Sequence, residues 1–255
     1  MDALIALHKP RMGRTAAPAS AARATDGTGP SACPAQRITP EQLVPAGSRV
    51  VVVAPHPDDE VLALGGTLAR LARRGHAITV CAVTDGEGSH PQSAHWTPDA
   101  LRHTRPHETE EALARLGIRA ETIRLGLPDG GVPAHEKTLA LRLPLRPDDT
   151  VFVPWRFDGH PDHEACARAT LAACRTVGAR CIEFPVWALV PDHAAHGRLR
   201  HRRLLRIVVP PDLLAAKAHA TQAFASQVTA DGATPPVLMP PALQAWSGRE
   251  EWAMA

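Results

Sequence analysis

The chain has 255 residues, 44% of them hydrophobic and only 4% aromatic, which suits one large globular domain or two small ones. Twenty-eight basic residues stand against 26 acidic ones, so the formal net charge of +2 argues against nucleic acid or an anionic membrane as a partner. No run of about 18 apolar residues appears, so no membrane-spanning helix is predicted.

Residues 1–46 are rich in Ala, Pro, Ser, Thr and Gly and read as a disordered N-terminal extension. Their early part is Arg-rich and acid-poor, loosely like a transit peptide, but LIAL is too short for a secretory apolar region. Residues 47–255 read as a single domain with a Pro-rich C-terminal tail. The cysteines are Cys33, Cys81, Cys166, Cys174 and Cys181, with no CxxC pair and an odd count. They read as reduced packing residues, which points to a reducing, cytoplasmic compartment.

Taken in chain order, 49–53 (RVVVV) is a β-branched run bounded by PAGS and Pro55, and predicts a buried parallel strand. A helix is expected over 60–73, with Leu64, Leu68 and Leu71 at spacings of four and three and RRG at its end. Residues 76–84 predict a second strand, 85–96 a polar loop, and 98–116 a helix ended by Gly117. A third strand follows at 120–125, then the turn LPDGG and a short helix at 134–143. Residues 150–154 (TVFVP) predict a fourth strand, 163–177 a helix ended by Gly178, and 180–184 a fifth strand. Residues 204–209 read as a sixth strand and 211–227 as a helix; the last thirty residues have no clear pattern.

This alternation predicts an α/β fold, a Rossmann-like three-layer sandwich with a mostly parallel sheet and right-handed crossovers. In the strand order 3-2-1-4-5, strands 1 and 4 are neighbours. Ligands bind beyond the carboxyl ends of strands where the order reverses. The two densest titratable clusters, APHPDDE (54–60) and DGHPDHE (158–164), follow strands 1 and 4. Topology alone therefore brings them together.

A mononuclear catalytic zinc site uses three N or O ligands and keeps one position open. His56 and Asp59, three residues apart at a strand-to-helix turn, can aim at one point, and His163 completes a His-Asp-His set. Asp58 is left beside the metal as a base for water, whose pKa a metal lowers to roughly 7. His160 can stabilise an oxyanion or protonate a leaving amine. Asp162 can fix the His160 tautomer. Pro57 and Pro161 bias each preceding His towards extended backbone. The competing structural role is simple helix-end chemistry, with Asp58, Asp59 and Glu60 as first-turn charges and Asp162 as an N-cap. Two such clusters at adjacent strand ends favour a site, and Glu60 alone is assigned to the helix N-terminus.

With HPDDE, GGTLA and HPDH in this order, the chain resembles the PIG-L or LmbE-like N-deacetylases. RPHETEEALARLG (105–117), LGLPDGG (125–131) and KAHATQAFASQ (217–227) resemble further segments of that family, so the likeness covers about 49–227. The resemblance implies a zinc-dependent hydrolase that removes an acyl group from an N-acetylglucosamine-type sugar. It implies His56, Asp59 and His163 as zinc ligands, Asp58 as base, His160 with Asp162 as oxyanion stabiliser or acid, and Arg105 as a substrate-binding residue. Some members carry a Tyr close before HPDH, whereas this chain has no Tyr and places Trp155, Arg156 and Asp158 there. EFPVW (183–187) resembles a segment of uncharacterised members.

Three alternatives or open points accompany this reading. A His2Asp set also suits Fe(II). A metal-dependent esterase or phosphoesterase is a second enzyme class; a two-metal version would draw on Asp85, His90, His95, His103 and His107, which read as loop and helix-surface residues. A nucleotide-binding module needs a GxGxxG turn after strand 1, which is absent. Trp155 is taken as substrate-binding, by stacking on a sugar, with core packing as the competing role, and Asp129 either borders the site or simply belongs to a turn. The expected partner is a small amino-sugar conjugate, and the pattern is compatible with a homo-oligomer.

Overall fold

A computed structural model describes residues 35–246 and 250–254. Its centre is a five-stranded parallel sheet of β2 (Val50–Ala54), β3 (Ile78–Ala82), β4 (Ala120–Arg124), β5 (Thr150–Pro154) and β6 (Arg180–Phe184). The order is β4-β3-β2-β5-β6, which is the expected 3-2-1-4-5 arrangement once an earlier short strand is counted. Every residue of β2 is buried because both faces of the sheet are covered. Val50, Val52 and Ala54 join one apolar cluster with α2 (Asp59–Arg73) and α3 (Pro98–Arg115). Val51 and Val53 point the other way, into a second cluster with α4 (Glu136–Arg142) and α5 (Pro161–Val177).

A smaller three-stranded sheet was not anticipated. It joins β1 (Gln36–Ile38), β7 (Leu204–Ile207) and β8 (Glu251–Met254) in the order β1-β7-β8. β1 pairs with β7 in parallel and β8 antiparallel to it. The expected N-terminal extension is thus corrected over its last part, where β1 and the short helix α1 (Pro40–Leu43) form. Thr39 and Gln42 cap α1 reciprocally: Gln42 N donates to Thr39 Oγ1 at 3.3 Å, and Thr39 N donates to Gln42 Oε1 at 2.9 Å. Residues 1–34 of that extension, with Cys33, lie outside the described residues. The other four cysteines are free thiols.

The helix expected over 211–227 divides into α6 (Pro211–Thr221) and α7 (Ala225–Val228), because fully buried Phe224 leaves helical backbone at φ −76°, ψ 56°. The Pro-rich tail is structured too, as α8 (Pro240–Trp246) and β8. β8 reaches α2 through Glu251, whose carboxylate accepts from Gly66 N and Thr67 N, each at 2.8 Å. The Lys217 ammonium of α6 lies 2.9 Å from the same carboxylate, so this buried charge is paired. The Gly65–Gly66 pair makes room for the approach. A Cβ on Gly66 would stand 2.6 Å from Val209 Cγ1. Among the described residues, no helix is long and apolar enough to cross a membrane.

Candidate metal centre and active site

β2 and β5 are hydrogen-bonded neighbours, so the loops that follow them open at the same edge of the sheet. The first loop carries His56, Pro57 and Asp58 into α2, and the second carries Asp158 and His160 into α5. Asp58 adopts φ 144°, a region that strains any residue with a side chain, at a cost of about 1–3 kcal/mol. Its surroundings hold it there. Asp58 N donates to Glu60 Oε2 at 3.3 Å, and Asp58 Oδ2 accepts from Arg105 Nη2 at 2.9 Å.

His56, Asp59 and His163 converge. His56 Nδ1 lies 3.4 Å from Asp59 Oδ2, His163 Nε2 lies 3.2 Å from the same oxygen, and the two imidazole nitrogens are 3.3 Å apart. Tetrahedral ligands bound at about 2.05 Å have their donor atoms about 3.3 Å from one another. The three atoms therefore form one face of a tetrahedron sized for zinc. His160 stands beside them, its ring 4.8 Å from that of His56 and 4.9 Å from that of His163.

Each imidazole of the triangle is aimed by a carboxylate behind it, as metal-ligating imidazoles require. His163 Nδ1 is 2.9 Å from Asp158 Oδ2, and Asp158 is itself held by the backbone N–H groups of Val186, Trp187 and Ala188. His56 Nε2 lies 3.2 Å from Asp129 Oδ1 and 3.3 Å from Asp162 Oδ2. Two other metal-sized groups share His56, one with His160 and His163 and one with Asp129 and Asp162. The latter uses the opposite ring nitrogen, and Asp162 already accepts from Gly130 N and Val132 N, so it serves to orient the ring.

The electrostatics follow from burial and crowding. Burial lowers the basicity of His163, but Asp59 and Asp158 outweigh it and lift the imidazole to about 9. His56 is likewise raised, with burial opposed by Asp129, Asp162 and Asp59. Burial raises Asp59, yet His163 and His56 hold its carboxylate far below the usual range. The Asp58 carboxyl is pushed up to about 7 by burial, against the attraction of Arg105 and with the repulsion of Asp59. His160 falls to about 4 through burial and the neighbouring imidazoles, so it is neutral. Its Nδ1 accepts from Asp162 N at 3.2 Å, which leaves the ring proton on Nε2. Five buried or nearly buried carboxylates (Asp58, Asp59, Asp129, Asp158 and Asp162) thus face two imidazoles and one guanidinium. A divalent cation at the triangle would take the place of the protons that His56 and His163 otherwise carry.

Residues 51–174 match the family described as PIG-L: GlcNAc-PI de-N-acetylase. The conserved protein TT1542 from Thermus thermophilus is 30% identical, with a TM-score of 0.50 over 71% of this chain and 80% of its own. The chain belongs to the PIG-L family. It is 35% identical over 156 residues to a 1D-myo-inositol 2-acetamido-2-deoxy-alpha-D-glucopyranoside deacetylase of Corynebacterium glutamicum, covering 50% of this chain and 53% of that one. It is 29% identical over 200 residues to a probable N-acetyl-alpha-D-glucosaminyl L-malate deacetylase of Bacillus anthracis, covering 71% of this chain and 83% of that one. The chain spans about half the length of the inositol-glycoside deacetylases that it matches.

Set in this PIG-L frame, the expectations for Asp162 and Trp155 need correction, and those for Arg105 and Glu60 gain detail. Asp162 fixes the His160 tautomer through its backbone N–H, while its carboxylate serves His56. Arg105 lines the pocket although only 2% exposed, and its guanidinium also donates to Gly86 O, Pro57 O and Asp58 Oδ2. Trp155 is buried at 3% exposure, edge-on to Phe157, and does not line the pocket. Glu60 stands in the first turn of α2, as expected. It is fully buried, burial and the charges of Asp58 and Asp59 push it up to about 8, and its Oε1 has no hydrogen-bond partner.

None of the spare ligands for a two-metal site joins a metal-sized group among the described residues. Asp85 pairs with Arg124, His103 bonds to Asp99 O, and His107 is exposed. Sequence reasoning overlooked Asp158 and Asp129 as orienting carboxylates, although both lie within quoted motifs. It also missed Trp187, Trp246 and Gln227, which line the pocket from outside the PIG-L match.

Proposed function

We propose that this chain is a metal-dependent N-deacetylase that removes an acetyl or other acyl group from the amide nitrogen of an N-acetylglucosamine-type sugar or its conjugate. One observation carries the reading: a tetrahedron-sized triangle of His56, Asp59 and His163 stands beside a carboxyl, Asp58, that bonds to none of the three. When bound there, zinc or Fe(II) supplies a Lewis acid that polarises the amide carbonyl and makes water acidic. Asp58, held by Arg105, takes the proton from the attacking water. The neutral His160 donates its Nε2–H to the oxygen on which charge develops. The C–N bond breaks, the amine leaves with the proton held by Asp58, and the products are the carboxylate and the free amino sugar. The names of the Corynebacterium and Bacillus relatives support this substrate class.

The test is acetate and amine release from N-acetylglucosamine conjugates by the full chain, as purified, chelated and reloaded with zinc. We expect about one metal ion per chain, loss of release on chelation and its return on reloading. A chelated, metal-free chain that still hydrolyses at the full rate would sink the proposal.

A further inference from the structure

The pocket in front of the metal ligands encloses about 170 Å³. Its chemistry is divided. His56, Asp58, Asp59, Asp129 and His160 supply a charged and polar pole, all from the segment matched to the family. Val186, Trp187, Val237, Leu238 and Trp246 line the same pocket, and all five lie beyond residue 174. None of the five carries a charge. Trp246 donates its ring N–H to Val186 O at 2.9 Å, so it has no polar group left to offer a ligand. Trp187 meets it edge-on at 5.3 Å and remains partly exposed, as does Val237.

This wall is held in place by bonds that do not involve the metal ligands. Leu238 N donates to Gln227 O at 2.9 Å, which ties the 237–238 segment to α7. Met239, next along the chain, keeps 46% of its surface in water. Gln227 and Ser89 are the polar lining residues near this wall, and Gln227 Nε2 is spent on Ser89 Oγ and Ser226 Oγ. A hydrocarbon group there would displace water from the exposed parts of Trp187 and Val237.

We infer that the amino sugar taken by this chain carries an apolar substituent, seated on Trp187, Val237, Leu238 and Trp246. This rests on the deacetylase reading of the pole opposite. The hydrocarbon can come from the aglycone or from an acyl group longer than acetyl, and the wall chemistry is the same for both.

The experiment uses the zinc-loaded full chain and three amides: N-acetylglucosamine, its phenyl glycoside, and N-hexanoylglucosamine. The expected result is a kcat/KM at least about tenfold higher for one of the apolar pair than for N-acetylglucosamine, and which one it is identifies the source of the hydrocarbon. Calorimetric titration with phenyl 2-amino-2-deoxyglucoside and with glucosamine measures the wall without any turnover, and the phenyl compound is expected to bind about tenfold tighter. Trp187→Ala and Val237→Asp should each collapse both ratios, and two variants guard against one that fails to fold. If no amide is cleaved, the deacetylase reading fails while the titration still decides the wall. Equal affinity for the two amines, or a ratio unchanged in both variants, would overturn the inference.

Discussion

His163 Nδ1 lies 2.9 Å from Asp158 Oδ2, and both side chains are fully buried. Asp158 is immobile because three backbone N–H groups also bind its carboxylate. With a metal at the triangle, the imidazole would keep its proton on Nδ1 and offer its Nε2 lone pair on the side of Asp59 and His56. Asp158→Asn removes the charge and allows the amide to donate to Nδ1, which reverses the tautomer. We expect zinc affinity to fall about 10–100-fold, read by competition with a chromogenic chelator. Undiminished affinity in a folded Asp158→Asn protein would show that the pair has no orienting role.

In the proposed reaction Asp58 moves a proton without holding the metal. Asp58→Asn should retain about one metal ion per chain while lowering the turnover rate by about 10²–10⁴. Metal content and acetate release measured on the same sample separate the two effects. A variant that loses its metal together with its activity would make Asp58 a ligand instead of a base.

Arg105 is the only guanidinium bonded to that carboxylate among the described residues. Its attraction lowers the Asp58 carboxyl, which burial and Asp59 raise. The base must be ionised to act, so activity appears as pH rises through its titration. Arg105→Gln removes the attraction and should move the acid limb of kcat/KM to higher pH. The same change leaves the buried Asp58 carboxylate and Pro57 O without the donor they share, and is expected to cost about 3–5 kcal/mol in urea unfolding. A limb that stays in place would mean that Arg105 acts on packing alone.

The contact between α2 and the C-terminal half can be probed at its narrowest point. Ala is a better helix former than Gly by about 1 kcal/mol. Gly66→Ala should nevertheless destabilise the protein by about 1–3 kcal/mol, since its Cβ would stand 2.6 Å from Val209 Cγ1 and 3.2 Å from Glu251 Oε1. Gly65→Ala, whose nearest contacts are 3.2 and 3.3 Å, should be milder. Thermal melts of the two variants compare them directly, and a stabilised Gly66→Ala protein would contradict the packing described.

Much of the core and of the reacting centre was readable from the chain itself. Val50–Ala54 and Thr150–Pro154 announce themselves as buried strands by local composition, and alternation with helices implies a parallel sheet. Because strand neighbours follow from that topology, His56, Asp58, Asp59 and His163 could be assembled before any coordinates. Their motifs are short, and each proline stiffens its own turn. What only the tertiary structure decided depends on segments that meet across long stretches of chain. β1 and β8 are three and four residues long, too short for a periodic signal, and exist as strands because β7 pairs with both. Asp129 and Asp158 become orienting carboxylates only when His56 and His163 are brought to them. Arg105 reads as a helix charge until folding buries it against Asp58. The apolar wall joins Trp187 to Val237 and Trp246, fifty or more residues further on. Local sequence encodes propensity and chemistry, whereas burial and the choice of partner are set by long-range packing.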